Sequence, residues 1–325
     1  MSHSAAAWPA CWCGAGPAQQ PHGADYRRCH DCGTLVSVHA GKAAHYMEVD
    51  GDESGHYGAD YWLRHVPEDL GQPPLAQRAA SDLAGRCVDW LTRTVAHCPP
   101  PASALELGCA HGAFVYLLKL AGYRAAGLDM SPTVNAMARQ RFGIDVHRGP
   151  LEQAAITDRF DLIAAFDLLE HLALPRATLA ACLRQLEPGG SLLLQTPCYR
   201  REDLSWSMLL AEDHLFLFTP GAARRLLHES GFQEIVIEDG FFAHDMWIAA
   251  RKPGKRPRVT TEPTPIAGAL IALHERARKL EAERDAIDAD RHAKDEVMRR
   301  VIAERDALAK RLTARDRPPA AERWS

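Results

Sequence analysis

From Ser103 to Arg251 the chain alternates short apolar runs with amphipathic stretches of helical period, and this alternation admits few folds. A strand buried on both faces reads as a continuous apolar run, and a helix between two such strands returns the chain so that they lie parallel. The runs ALEL, RAAGLD, DVH, FDLIAAF, GSLLLQT, EIVIED and MWIAAR predict seven strands. Ala113 to Ala121, Pro132 to Arg141, Pro175 to Leu186 and Pro220 to Ser230 predict the helices between them, three opening on a proline at the favoured first position. Only GFFAHD separates the last two strands, too short for a parallel crossover, so these two are expected to be antiparallel. The expected fold class is α/β, a doubly wound and mostly parallel seven-stranded sheet spanning residues 101–252.

The first strand runs through Glu106 and Leu107 into Gly108, Cys109, Ala110, His111 and Gly112, then into a helix. A strand, a glycine turn and a helix N-terminus let backbone approach a ligand closely with N–H groups pointing outward. The next strand ends at Asp129, 17 residues beyond Gly112, where a carboxylate can accept from both hydroxyls of a ribose. Gly108 and Gly112 are not spaced as in the dinucleotide fingerprint, and an acid stands two positions before the first glycine. Such an acid repels a pyrophosphate and favours a ligand with a cationic amino group. LELGCAHG resembles motif I of class I S-adenosylmethionine (SAM)-dependent methyltransferases, with Ala110 at the place of the middle glycine. GLDMSP resembles that family's second strand, FDLIAAFDLLEHL its fourth, LEPGGSLLLQTP the entry to its fifth, and HLFLFTPGAARRLLHESGF the region of a later helix. The resemblance runs in order from about Leu105 to Phe232 and implies SAM as cofactor. It implies Glu106 and residues 108–112 for the amino-acid end, Asp129 for the ribose, and Met130, Pro150 and Leu151 for adenine, with Phe166 closing the fourth strand beside them.

Methyl transfer from a sulfonium needs alignment and, for a hydroxyl acceptor, a base. Asp167, Glu170 and His171 follow the fourth strand and His214 precedes a later helix, which makes Asp167, His171 and His214 the candidate catalytic groups. Two carboxylates and two imidazoles also suit a divalent cation such as Mg or Mn. The set Asp167, Glu170, His171 and His214 resembles the metal site of small-RNA 2′-O-methyltransferases and partly that of ubiquinone-biosynthesis O-methyltransferases. A metal-free site with a histidine base is the competing reading. Tyr57, Tyr61 and Trp62 either close over the cofactor or belong to the core.

The flanks differ in composition. Residues 1–40 are poor in apolar periodicity but hold Cys11, Cys13, Cys29 and Cys32, and a structural zinc on these four would give the segment a reason to fold. Cys11 and Cys13 stand only one residue apart, so His22 or His30 is an alternative ligand to Cys11, and unliganded thiols are the alternative to zinc. This segment resembles the Cys-rich N-terminus of some bacterial methyltransferases acting on sugars or small metabolites. Residues 41–100 are expected to be a helical lead-in and cap, 253–265 a linker, and 266–316 a long helix. Leu270, Leu273, Ala277, Leu280, Ile287, Met298, Val301, Leu308 and Leu312 keep heptad spacing there, with Arg284, Arg291, Lys294 and Arg305 on the same seam. A solvated helix and a helix for self-association or a protein partner both fit.

A net charge of -4 offers no field to gather nucleic acid. No apolar run suits a membrane span and the start lacks a secretory signal pattern, so a cytoplasmic protein is expected. The expected function is SAM-dependent methylation of a hydroxyl on a small molecule or saccharide. A metal-dependent RNA 2′-O-methyltransferase and a noncatalytic SAM-binding scaffold are the alternatives.

Overall fold

The computed structural model describes residues 8–16, 20–48, 56–200, 203–255 and 265–315. It divides into two compact units after Ile271. Most of the linker, the chain after Arg315 and the side chains of Leu270, Leu273, Ala277, Arg284, Leu308 and Leu312 lie outside the described residues.

The main sheet has seven strands: β4 (Ser103–Leu107), β5 (Arg124–Asp129), β6 (Val146–Arg148), β7 (Phe160–Phe166), β8 (Leu186–Pro197), β10 (Gln233–Asp239) and β11 (Asp245–Arg251). Their spatial order is β10-β11-β8-β7-β4-β5-β6. β11 runs antiparallel to both neighbours and the rest are parallel, so the short GFFAHD connection has the expected consequence.

The period of two in these strands feeds two cores. Leu105, Leu107, Ile163, Ala165, Leu192 and Leu194 pack on one face with helices α6 (Pro175–Gln185) and α7 (Pro220–Glu229). Ala104, Leu162, Ala164, Leu193 and Trp247 pack on the other with α3 (Arg86–His97) and α4 (Ala113–Leu120). Helix α5 (Pro132–Phe142) lies between β5 and β6 in the chain, and α2 (Leu75–Ala84) leads into α3. A π-helical segment, Tyr61–Asp69, precedes α2.

The Cys-rich N-terminus does not stand on its own core. Strands β1 (Gln20–His22), β2 (Tyr26–Arg28) and β3 (Leu35–Ser37) form a second sheet completed by β9 (Phe216–Leu217), which follows His214 directly. Cys11, Trp12, Cys29 and Val36 are buried in the same core cluster as β8 and α7. Arg176 of α6 donates to the Trp12 carbonyl at 3.0 Å, and Arg225 of α7 pairs with Asp31 at 2.8 Å. Low apolar content in this segment is thus offset by apolar surface lent from elsewhere in the chain. Among the described residues no helix is long and apolar enough to cross a membrane.

Candidate active site

Ligands in open α/β sheets bind outside the carboxyl ends of the strands, and here the ends of β4, β5 and β7 meet in one cleft. The turn after β4 is built by conformation. Gly108 and Gly112 have φ of +66° and +78°, and a Cβ on Gly112 would come within 2.9 Å of Ala138 Cβ. Ala110 sits at φ 44° without the freedom of glycine. Ala110→Gly is therefore expected to raise stability by about 0.5–1 kcal/mol, read as a higher urea midpoint at unchanged slope.

Asp129 closes β5 and accepts from the Ala110 and Ser131 N–H groups, both at 2.9 Å. Burial raises its carboxyl to about 6 against those donors. Glu106 is buried, its Oε2 has no partner, and burial with the nearby Asp129 charge pushes its carboxyl well up. Asp129, Met130, Pro150 and Leu151 line one cavity, and Glu106, Cys109, Ala110, His111 and Phe166 line a second. Gly108, Trp62 and Asp167 border both, so the two acids belong to adjoining parts of one cleft. Gly112 serves the turn, while His111 turns its Nε2 to Asp82 at 3.0 Å.

A third cavity of about 770 Å³ adjoins these two, and Asp167 lines all three. Its walls carry His171 and His214, with ring centroids 4.9 Å apart. Each imidazole is pinned through Nδ1, His171 to the Asp213 carbonyl and His214 to the Met208 carbonyl, both at 2.8 Å. A carbonyl only accepts, so Nδ1 carries the hydrogen and Nε2 keeps its lone pair. Burial lowers both imidazoles, His171 to about 3. Buried Glu170 accepts from Thr196 Oγ1 at 2.8 Å. One ligand atom from each of Glu170, His171 and His214 falls within 4.8 Å of the others. Asp167 is not in that trio: it accepts from Arg86 at 2.7 Å and Gln195 at 3.0 Å, in a left-handed conformation at φ 51°.

Several groups in the cleft carry no signal that motif reading used. Arg78, Asp82 and Arg86 come from α2 and α3 and line the Glu106 cavity. Their spacing of four residues on a helix was the available clue. Arg86 bridges Asp82 at 2.6 Å and Asp167. Burial works to raise the Asp82 carboxyl, but His111 and the arginines override it and hold it at about 2. Asp213 and Asp245, both buried, line the third cavity. Tyr57 Oη, Trp62 Nε1, Arg86 Nε, Glu106 Oε2 and Asp213 Oδ1 are buried without hydrogen-bond partners, and all five residues border these cavities. Buried polar atoms are almost always paired, so this concentration points to a polar ligand. The orphans fit SAM, because Arg86 and Trp62 can donate to a carboxylate and Glu106 can accept from an ammonium.

The four N-terminal thiols form a second cluster, with Cys11 and Cys32 Sγ 3.5 Å apart and Cys13 and Cys29 Sγ 3.6 Å apart. Tetrahedral zinc at about 2.3 Å from each sulfur sets sulfur–sulfur edges near about 3.8 Å. The donor set fits, and neither His22 nor His30 belongs to it. Glycines of positive φ follow both cysteine pairs, and Gly33 N–H donates to the Cys29 carbonyl at 3.0 Å, giving the tight turns such a grip needs. Cys29→Ser is expected to lose about one zinc per chain by metal analysis and to lower the melting temperature.

Residues 79–236 match a family described as a methyltransferase domain. A ubiquinone biosynthesis O-methyltransferase of Aromatoleum aromaticum is 28% identical over 116 residues, 34% of this chain and 49% of the relative. A probable S-adenosylmethionine-dependent methyltransferase of Mycolicibacterium smegmatis is 31% identical over 140 residues, 42% of this chain and 46% of the relative. The chain thus spans about half the length of these curated relatives. Among solved structures, a SAM-bound amino pentose methyltransferase from Micromonospora echinaspora is similar at 21% identity and TM-score 0.42, over 55% of this chain and 97% of the other. A glycopeptide N-methyltransferase complexed with sinefungin is similar at 20% identity and TM-score 0.43, over 52% and 88%. Residues 79–236 thus match a methyltransferase domain, and the strand order with its one reversed strand is the class I methyltransferase fold.

Proposed function

We propose that the chain transfers the methyl group of SAM to a hydroxyl of a small molecule or saccharide held in the third cavity. The observation that carries this reading is the convergence of three cavities at Asp167, with two imidazoles whose Nε2 atoms are left as acceptors. Glu106, Arg86 and Trp62 would hold the amino-acid end of SAM, Asp129 its ribose, and Met130, Pro150 and Leu151 its adenine. Bound there, SAM supplies an electrophilic methyl on a sulfonium. Asp167, fixed by Arg86 and Gln195, would orient the acceptor, and His214 or His171 would take its proton at Nε2. A cavity of this volume accommodates a metabolite-sized ligand. The relatives named as O-methyltransferases support oxygen as the atom methylated.

A second reading adds a divalent cation. The trio Glu170, His171 and His214 favours it, because imidazoles pinned through Nδ1 to carbonyls are oriented as metal ligands usually are. Such a cation would polarise the acceptor hydroxyl.

The test is incubation with labelled SAM and a mixture of sugars, small metabolites and RNA, with and without Mg²⁺ or Mn²⁺. Label in a small acceptor with equimolar demethylated product supports the proposal. Label only in added RNA would overturn the acceptor class, and SAM binding without turnover would favour the scaffold. Stimulation by either cation decides for the second reading.

A further inference from the structure

The last helix, α8 (Pro265–Arg315), runs 51 residues without a break, about 77 Å at 1.5 Å per residue. Its heptads carry Leu273, Leu280, Ile287, Lys294, Val301 and Leu308 at d, and Leu270, Ala277, Arg284, Arg291, Met298, Arg305 and Leu312 at a. Leu280, Ile287, Met298 and Val301 on this seam are 56%, 68%, 60% and 55% exposed. Four large apolar side chains open to solvent along one seam between Leu280 and Val301 call for an occupant.

The charges identify it. The three a positions filled by arginine, Arg284, Arg291 and Arg305, are each preceded at g by an acid: Glu283, Asp290 and Glu304. The other four, Leu270, Ala277, Met298 and Leu312, are preceded by Ala269, Arg276, Val297 and Arg311. Acids therefore occur at g where, and only where, the following a residue is arginine. Neighbours in sequence do not face each other on one helix, so no contact between the two neighbours accounts for this match, although Asp290 also accepts from Lys294 one turn on at 2.6 Å. In a parallel, in-register pair, g of one helix packs beside the following a of its partner. There the acid meets the partner's arginine six times per dimer, three from each strand. In an antiparallel pair g faces g′ and these acids would repel with no arginine beside them, whereas in the parallel pair Glu283 and Asp290 oppose Asp288 and Asp295 at e′ but lie beside the partner's a arginines, which offset that repulsion.

We propose that α8 joins two copies of this chain as a parallel, in-register, two-stranded coiled coil, its register set by Glu283, Asp290 and Glu304 against the partner's Arg284, Arg291 and Arg305. The charged a layers lower stability and in exchange exclude higher oligomers and shifted registers.

Sedimentation equilibrium of the full chain at micromolar concentration tests this. The wild type is expected to be dimeric. A basic variant, Glu283→Arg/Asp290→Arg/Glu304→Arg, and an acidic variant, Arg284→Glu/Arg291→Glu/Arg305→Glu, should each dissociate at least about 100-fold more readily. Mixed one to one they should form a heterodimer, since every g–a′ contact then joins opposite charges. A monomeric or trimeric wild type, variants that self-associate like the wild type, or a mixture that stays monomeric would overturn the proposal. So would preferential pairing of the basic variant with wild type, which signals g facing g′. Thermal unfolding of the N-terminal unit, unchanged in both variants, checks that the substitutions act on association.

Discussion

Asp129→Ala is expected to bind SAM at least about 100-fold more weakly than the wild type by calorimetry. Two effects add. The ribose loses a charged acceptor for its hydroxyls, each such bond contributing about 1.5–3 kcal/mol, and the Ala110 and Ser131 N–H groups lose the carboxylate that shapes the turn. The same residue gives a pH signature. Burial raises the Asp129 carboxyl from 3.8 to about 6, so below that pH the free protein holds a proton that ribose binding must displace. The dissociation constant should rise about tenfold per unit below pH 6 and level off above it. For folding the sign is opposite. Between 3.8 and about 6 the folded chain binds more protons than the unfolded chain, so this group makes the cofactor-free protein less stable as pH rises through that window. Glu106 is pushed the same way, and measuring the profile in Glu106→Gln isolates Asp129. A dissociation constant independent of pH from 5 to 7 in both backgrounds would remove Asp129 from the ribose.

His214→Ala should lower kcat by about 10²- to 10⁴-fold, the usual loss for a general base, at unchanged SAM affinity. His214 lines the third cavity and neither of the two proposed for SAM, so its loss leaves the cofactor contacts in place. Partial rescue by added imidazole marks a proton acceptor, whereas loss of a cation requirement marks a metal ligand. Turnover within about threefold of wild type would take His214 out of the chemistry.

How much of this was legible beforehand depends on the range of the forces involved. Strands such as FDLIAAF are buried on both faces and announce themselves as apolar runs; β7 occupies Phe160–Phe166 as read. Gly108, Gly112 and Asp129 are local requirements of one turn, so their spacing carries the signal. The arginines and Asp82 of α2 and α3 reach the cleft only through tertiary packing, and on the sequence they look like ordinary helix-surface charges. The pairing of β3 with β9 is shorter still, Leu35 with Leu217 and Val36 with Phe216, and two residues have no periodicity to read. The spacing of Asp167 groups it with Glu170 and His171, whereas its side chain accepts from Arg86 and Gln195 on a left-handed backbone.

That short pairing ties the N-terminal segment to the stretch that carries His214. Ser37 N–H donates to the Leu215 carbonyl at 2.9 Å, Tyr26 Oη to the His214 carbonyl at 2.8 Å, and Tyr46 Oη to the Glu212 carbonyl at 2.7 Å. Ser37 Oγ holds the Ala211 carbonyl as well. The thiol-bearing segment is therefore masonry for the wall of the third cavity that carries His214. Cutting it away, or exchanging it for the corresponding piece of another protein, would redraw that wall and uncover the apolar core it shares with the central strands.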